Sequence, residues 1–260
     1  MTQNSEHSLY EGCPTHVIQH WHRFSVSQKI AEHDRELHGD QNVGELTEKV
    51  VGAFLSLTKI LEALSDRLNS GFSQEDIGTL SSETVAYVGW WTVEQFMPLS
   101  NTVPEDATRA DFLSRTARLF QLFELLKPAA MRNLVLSVGI NKGDIKGLGS
   151  LKLLACLCQL STISAESGLN LLDDTDELVP QWDSKFAVNC LNSIFAINGL
   201  RVAESHTPGA EQENDIATHL AAFEIDVATT ANGWSDALHK VYARLASDLN
   251  TTAELIRNAL

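Results

Sequence analysis

The chain has 260 residues, of which 43% are hydrophobic and 20% charged, and this is enough to build a core without metal or disulfide staples. The net charge of −15 creates a field that repels nucleic acid and anionic lipid from the molecule as a whole. Residues 1–14 lack the apolar core of a signal peptide, and no apolar run reaches the roughly 18 residues of a membrane span. We therefore expect an intracellular, cytoplasmic protein with no transmembrane segment.

None of the four cysteines forms a CxxC pair. Cys156 and Cys158 stand two residues apart on a predicted helix, so their side chains point in different directions and cannot easily bridge. We interpret Cys156, Cys158 and Cys190 as small core hydrophobes of a reducing compartment.

In chain order, residues 1–14 predict a flexible lead and residues 15–37 a first helix. The clearest pattern follows, because large apolar residues recur at steps of four and three and so share one helical stripe. These residues are Leu46, Val50, Phe54, Leu57, Leu61, Leu64 and Leu68. The pattern predicts a helix over 46–68.

Capping residues then place two further helices. Ser73 is a good N-cap for a helix that we expect to reach Phe96, with Pro98 closing it. Thr102 opens a fourth helix, and Pro128 breaks it. The remaining predicted elements are a helix at 129–138, a glycine-rich loop at 139–144, a helix at 148–172, an acidic connection at 173–180 and a helix at 186–203.

The segment 206–213 contains Pro208-Gly209 and reads as a linker, and two more helices follow it, the second with Ser235 as a plausible N-cap. Ile216, Leu220, Phe223 and Val227 form the apolar stripe of the first of these two helices. We predict an all-α fold, a multi-helix bundle of about eight or nine amphipathic helices. Its parts are a flexible lead (1–14), a main bundle (15–205), a linker (206–213) and a C-terminal helical pair (214–260) that packs on the bundle or forms a subdomain.

Positive charge concentrates in one stretch. Residues 101–152 contain eight Lys or Arg against five Asp or Glu, so this stretch carries +3 and the remainder −18. A partner with negative charge, nucleic acid included, would approach here, and the alternative is a solvated helix face. The candidate contact residues are Arg109, Arg115, Arg118, Lys127, Arg132, Lys142 and Lys146.

Two clusters suggest metal binding. The acidic run Asp173, Asp174, Asp176 and Glu177 could hold Mg²⁺ and orient a diphosphate, and it resembles the aspartate-rich motif of class I terpene synthases. The second metal motif of those enzymes is incomplete here. His16 and His20 are four residues apart and could share a divalent metal on one helix face. The alternatives are a solvated acidic loop and a solvated helix, and we expect no bound cofactor.

The aromatic residues Tyr87, Trp90, Trp91 and Phe96 could form a ligand or membrane-interface patch. Adjacent tryptophans on a helix lie about 100° apart, so we expect one of the pair to face the core and the other to flank it. Core packing is the interpretation that we favour for the group.

Three stretches in order resemble the peroxin eleven family, helical proteins that remodel peroxisomal membranes. They are residues 58–64 (TKILEAL), residues 83–99 with the Trp pair, and residues 150–172 followed by 186–201. The likeness covers about half the chain and implies membrane-surface association but no catalytic residues. The family's N-terminal amphipathic segment, of the GRDK type, has no counterpart in residues 16–38.

No complete catalytic constellation stands beside these helical patterns. We therefore predict a non-enzymatic binding or assembly protein that acts on a protein partner or a second copy through its apolar stripes and the 101–152 stretch. The alternatives are a small-ligand or Mg²⁺-dependent diphosphate-processing enzyme and a peripheral membrane-remodelling protein.

Overall fold

Every regular element in the described residues, which are 43–204, 210–231 and 233–260 of a computed structural model, is an α-helix or a 3-10 helix. The all-α prediction is therefore confirmed for this part of the chain. The α-helices are α1 (Gly44–Arg67), α2 (Gln74–Gly78), α3 (Ser82–Val88), α4 (Arg109–Glu124), α5 (Pro128–Ser137), α6 (Ser150–Ser167), α7 (Thr175–Leu178), α8 (Asn192–Glu204), α9 (Ala210–Ala221) and α10 (Ser235–Ala259). The predicted lead and the helix at 15–37 lie outside these ranges.

The heptad stripe forms helix α1, as predicted. Phe54, Leu57 and Leu61 are fully buried along it. Glu45 lies in the first turn and Arg67 in the last, where each charge opposes the partial charge of the helix end. Apolar spacing and terminal charges thus agree, and α1 forms one side of the core.

Helix α10 is the centre of the packing. It lies against α1 and also contacts α4, α6 and α8. Its fully buried Tyr242 donates a hydrogen bond to the Leu99 carbonyl at 2.7 Å, and the same oxygen accepts from Thr47 at 3.0 Å and from Arg115 at 2.9 Å. Side chains of α1, α4 and α10 therefore meet at one backbone oxygen. The predicted linker at 206–213 is too long at its C-terminal end, because helix α9 already begins at Ala210, and residues 206–209 lie outside the described part.

The helix predicted from Ser73 to Phe96 is broken. Ser73 is the N-cap, with a reciprocal capping box to Asp76, but α2 ends at Gly78. Thr79 then takes a left-handed conformation (φ 67°), and its hydroxyl donates to the Leu125 carbonyl at 2.9 Å. This tertiary hydrogen bond accompanies a backbone conformation that no local pattern predicts for a β-branched residue.

Two predicted N-caps are wrong. Helix α4 begins at Arg109 with Thr108 as its cap, and Asp111 completes a capping box, so Thr102 lies well outside the helix. Helix α10 begins at Ser235 itself, after Trp234. Trp234 is tied instead to the chain before α4, because its amide donates to the Ala107 carbonyl at 2.9 Å.

Three of the predicted helical or loop stretches differ in detail. Residues 182–188 are irregular and α8 begins only at Asn192, because Asp183 holds a turn through the amides of Lys185 and Phe186. The acidic connection contains the short helix α7. Val227, predicted on a buried stripe, is 48% exposed in a 3-10 helix.

Candidate functional site

The basic stretch is partly structural. Arg115 is half-buried and donates to the carbonyls of Leu99 at 2.9 Å and Asn101 at 3.0 Å. The Lys127 ammonium donates to the Glu75 carbonyl at 2.8 Å. Both cations therefore tie helix α4 and its end to neighbouring backbone, as well as contributing positive charge.

Arg132 braces the loop before α6, since its guanidinium donates to the carbonyls of Ile145 at 2.7 Å and Leu148 at 2.8 Å. The other predicted contact residues are Arg109, which is half-buried and engaged with a neighbour, and the exposed Arg118, Lys142 and Lys146. Arg115 and Arg118 border one shallow groove together with Asp111. The structure does not bring the seven residues to a single site.

The acidic residues 173–177 form no shared site, and Asp174 stabilises the turn that precedes α7. Asp174 accepts the Asn170 amide at 2.7 Å, and the three other acidic residues are exposed. Across the residues that can be described, no three His, Cys, Asp or Glu side chains come together as a metal site. His16 and His20 lie outside those residues, as do the other groups before residue 43.

Exposed apolar side chains concentrate in the last turn of α3 and just after it. Tyr87 is 91% exposed, Val88 42%, Trp91 61% and Met97 49%, and we call these four residues the aromatic patch. The favoured core interpretation is therefore wrong for Tyr87 and Trp91. It is right for Phe96, which is fully buried, and Trp90 packs against the core.

Local geometry fixes the patch. Trp91 lies over Gly89, where a Cβ would stand 2.6 Å from the indole ring, and Gly89 has a φ of +83° that favours glycine. The rings of Trp90 and Trp91 meet edge to face at 5.9 Å. Buried Phe96 and Leu99 anchor the chain beyond the patch. The exposed rings of Tyr87 and Trp91 therefore belong to a segment whose neighbouring residues are packed in the core.

A second candidate site is a cleft between α6, α8 and the 182–188 loop, with a volume of about 250 Å³. We call it the Gln159 cleft. Helix α6 supplies its floor, α8 a wall, and the loop its cover. The side chains that line it include Lys152, Ala155, Cys156, Gln159, Trp182 and Phe195.

The deepest polar group of this cleft is an amide. Gln159 is only 4% exposed, and its side chain makes no hydrogen bond to any described residue. Beside it, burial raises the pKa of the Cys156 thiol to about 11, although the hydrogen bond from the Trp182 indole opposes this shift. The Cys156 thiol donates to the Lys152 carbonyl at 3.2 Å. Cys156 is therefore a packing residue, and Gln159 is the group free to meet a ligand.

The other two described cysteines form a pair. The Cys158 and Cys190 thiols share a hydrogen bond, with Cys158 fully buried and Cys190 half-buried. This bond lowers the pKa of Cys190 to about 7 against the opposing effect of burial, and the pKa of Cys158 rises. Cys190 packs against the core, as its sequence predicts, and the lowered pKa of its thiol is the feature that the sequence does not predict.

We expect iodoacetamide to modify Cys190 faster than Cys156 in the folded protein, with a rate that rises through a midpoint near pH 7, the pKa of Cys190. The thiolate is the nucleophile, so the rate follows its population. Peptide mass spectrometry of samples quenched across the pH range measures the rate at each cysteine. Cys158→Ala removes the hydrogen bond and should move the midpoint upward. An unshifted midpoint in this variant would contradict the pairing.

No pattern in the sequence marks Gln159 or the Cys158–Cys190 pair, because each depends on elements brought together from different parts of the chain. No helix in the described ranges combines the length and apolar character that a membrane span needs. No protein-family model, curated protein or solved structure matches this chain.

Proposed function

We propose that this chain is a non-enzymatic binding protein and that its aromatic patch docks on a protein partner. The observation that supports it is the exposure of Tyr87 and Trp91, at 91% and 61%. Large aromatic side chains are enriched among the residues that dominate binding energy at interfaces. A patch held on a packed base also loses little conformational freedom on binding.

Charge around the patch favours one kind of partner. Between Arg67 and Arg109 the sequence contains six Asp or Glu and no Lys or Arg, and Glu83 and Glu94 are exposed near the patch in sequence; Lys59 of α1 is the cation that lies near Glu83. A partner with an apolar anchor flanked by basic residues would complement this surface. A two-fold contact between copies would instead bring the same acidic surfaces together.

Peripheral membrane remodelling is the second candidate function. Tyr and Trp rings suit the membrane interface, and the patch falls within residues 83–99, one of the stretches that resemble the peroxin eleven family. The neighbouring carboxylates oppose binding to anionic lipid, so we place this candidate second.

A pair of synthetic helical peptides tests the first candidate. One carries a leucine face flanked by lysines, and its twin has glutamate at each lysine. We expect the basic peptide to bind, and the double variant Tyr87→Ser/Trp91→Ser to weaken it about tenfold, or about 1.4 kcal/mol. Fluorescence anisotropy measures both. The variant keeps the net charge, so equal binding to variant and parent would show only nonspecific attraction and would contradict the proposal.

Vesicle flotation and light scattering separate the competing modes. We expect no flotation with neutral or anionic vesicles and a constant mass over a range of protein concentrations. Flotation that the double variant abolishes would favour the membrane candidate. A mass that grows with concentration and returns to the monomer value in the variant would identify a second copy as the partner.

A further inference from the structure

The Gln159 cleft has the shape of a small-molecule site. Four side chains of α6 at positions 152, 155, 156 and 159 lie on one helical face and line it. Ala155 is small and leaves room above the helix, Phe195 of α8 forms a wall, and Trp182 closes the loop side. The result is a concave space in which apolar walls stand beside a polar rim, and small-molecule sites also combine an apolar lining with placed polar groups.

Gln159 gives this space a chemical preference. The Gln159 amide opens into the cleft and has no hydrogen-bond partner among the described residues, so water or a ligand must satisfy it. Its side chain offers both N–H donors and a carbonyl acceptor. A ligand group that carries a donor and an acceptor side by side could therefore pair with it twice.

The charges at the rim of the cleft favour an uncharged ligand. Lys152 brings one positive charge, and the exposed Asp144 and Asp183 bring two negative charges, so the rim gives no net attraction to an anion. The volume of about 250 Å³ lies below the roughly 300–1,000 Å³ of sites for drug-sized molecules. The cleft thus suits a small molecule with a ring or branched alkyl body.

We propose that the Gln159 cleft binds a small uncharged molecule whose apolar body lies against Ala155 and Phe195 and whose carboxamide-type group pairs with the Gln159 amide. This site shares no residue with the aromatic patch, so the failure of either proposal leaves the other standing.

Matched probes test it with the full chain. Benzamide, benzoate and toluene share a ring and differ only in the group offered to Gln159. We expect benzamide to shift protein NMR signals of α6 and the 182–188 loop at about 10 mM, and to bind more tightly than benzoate or toluene. Equal binding of toluene, or no shift with any of the three, would overturn the proposal.

Variants locate the interaction. Gln159→Leu should weaken benzamide binding about tenfold, which is about 1.4 kcal/mol, and Ala155→Phe should block it by filling the cleft. Gln121→Leu, on the exposed face of α4, is the matched control and should leave binding unchanged.

A stability measurement separates ligand binding from a structural role. Because the Gln159 amide lacks a partner, Gln159→Leu should leave the melting temperature unchanged or raise it. A lowered melting temperature together with unchanged benzamide affinity would show that the amide serves packing, and would overturn the proposal.

Discussion

Phe54→Ala should lower the free energy of unfolding by about 3–5 kcal/mol, the range for removing a fully buried phenylalanine. Phe54 is completely inaccessible on the inner face of α1. Its ring meets Phe123 of α4 edge to face at 6.3 Å, so the substitution removes an aromatic contact and leaves a cavity between two helices. Urea unfolding followed by circular dichroism measures the change.

The matched control is Phe186→Ala, because Phe186 is 55% exposed in the 182–188 loop. We expect that variant to change stability by less than about 1 kcal/mol. Similar losses in the two variants would contradict the placement of α1 in the core.

Gly233→Ala should lower the free energy of unfolding by roughly 2–5 kcal/mol, from backbone strain and overpacking together. Gly233 has a φ of +139°, and a Cβ there would stand 2.1 Å from the Glu105 carbonyl oxygen. Both partners in this contact are backbone, so neither can move as a flexible side chain would. Thermal unfolding of the purified variant measures the effect.

Gly147→Ala separates the two causes. Gly147 also has a positive φ, of +78°, but its Cβ would meet no atom within 4 Å. In this control we expect the free energy of unfolding to fall by about 1–2 kcal/mol, from backbone strain alone. If Gly233→Ala costs no more than Gly147→Ala, the close approach of the chain before α4 to the start of α10 is wrong.

Helix α1 was predictable because its stability depends on local periodicity that burial then reinforces. The same holds for the Ser73 cap, where a side chain and an amide three residues away satisfy each other. Both signals come from residues that are close together in the sequence, so no tertiary contact is needed to recognise them. The all-α class follows from several such signals in agreement.

The sites could not be predicted in this way. Thr79 breaks a helical pattern while bonding to a carbonyl 46 residues away, and the exposure of Tyr87 depends on where that break turns the chain. Gln159 lies on an apolar helix like any other polar residue, and only the packing of α8 and the 182–188 loop places its amide in a cleft, without a hydrogen-bond partner among the described residues. The exposure of Tyr87 and the surroundings of Gln159 depend on long-range packing, which helical periodicity does not predict.

Photo-crosslinking from residue 87 in cells of the native host tests the docking function most directly. A benzophenone amino acid replaces Tyr87, which is 91% exposed, and Glu254 on the exposed face of α10 gives the control position. We predict one discrete adduct to another protein from position 87 that Trp91→Ser abolishes and position 254 does not give. Absence of any adduct from position 87 above the control would contradict the assignment of the aromatic patch as a protein-binding surface.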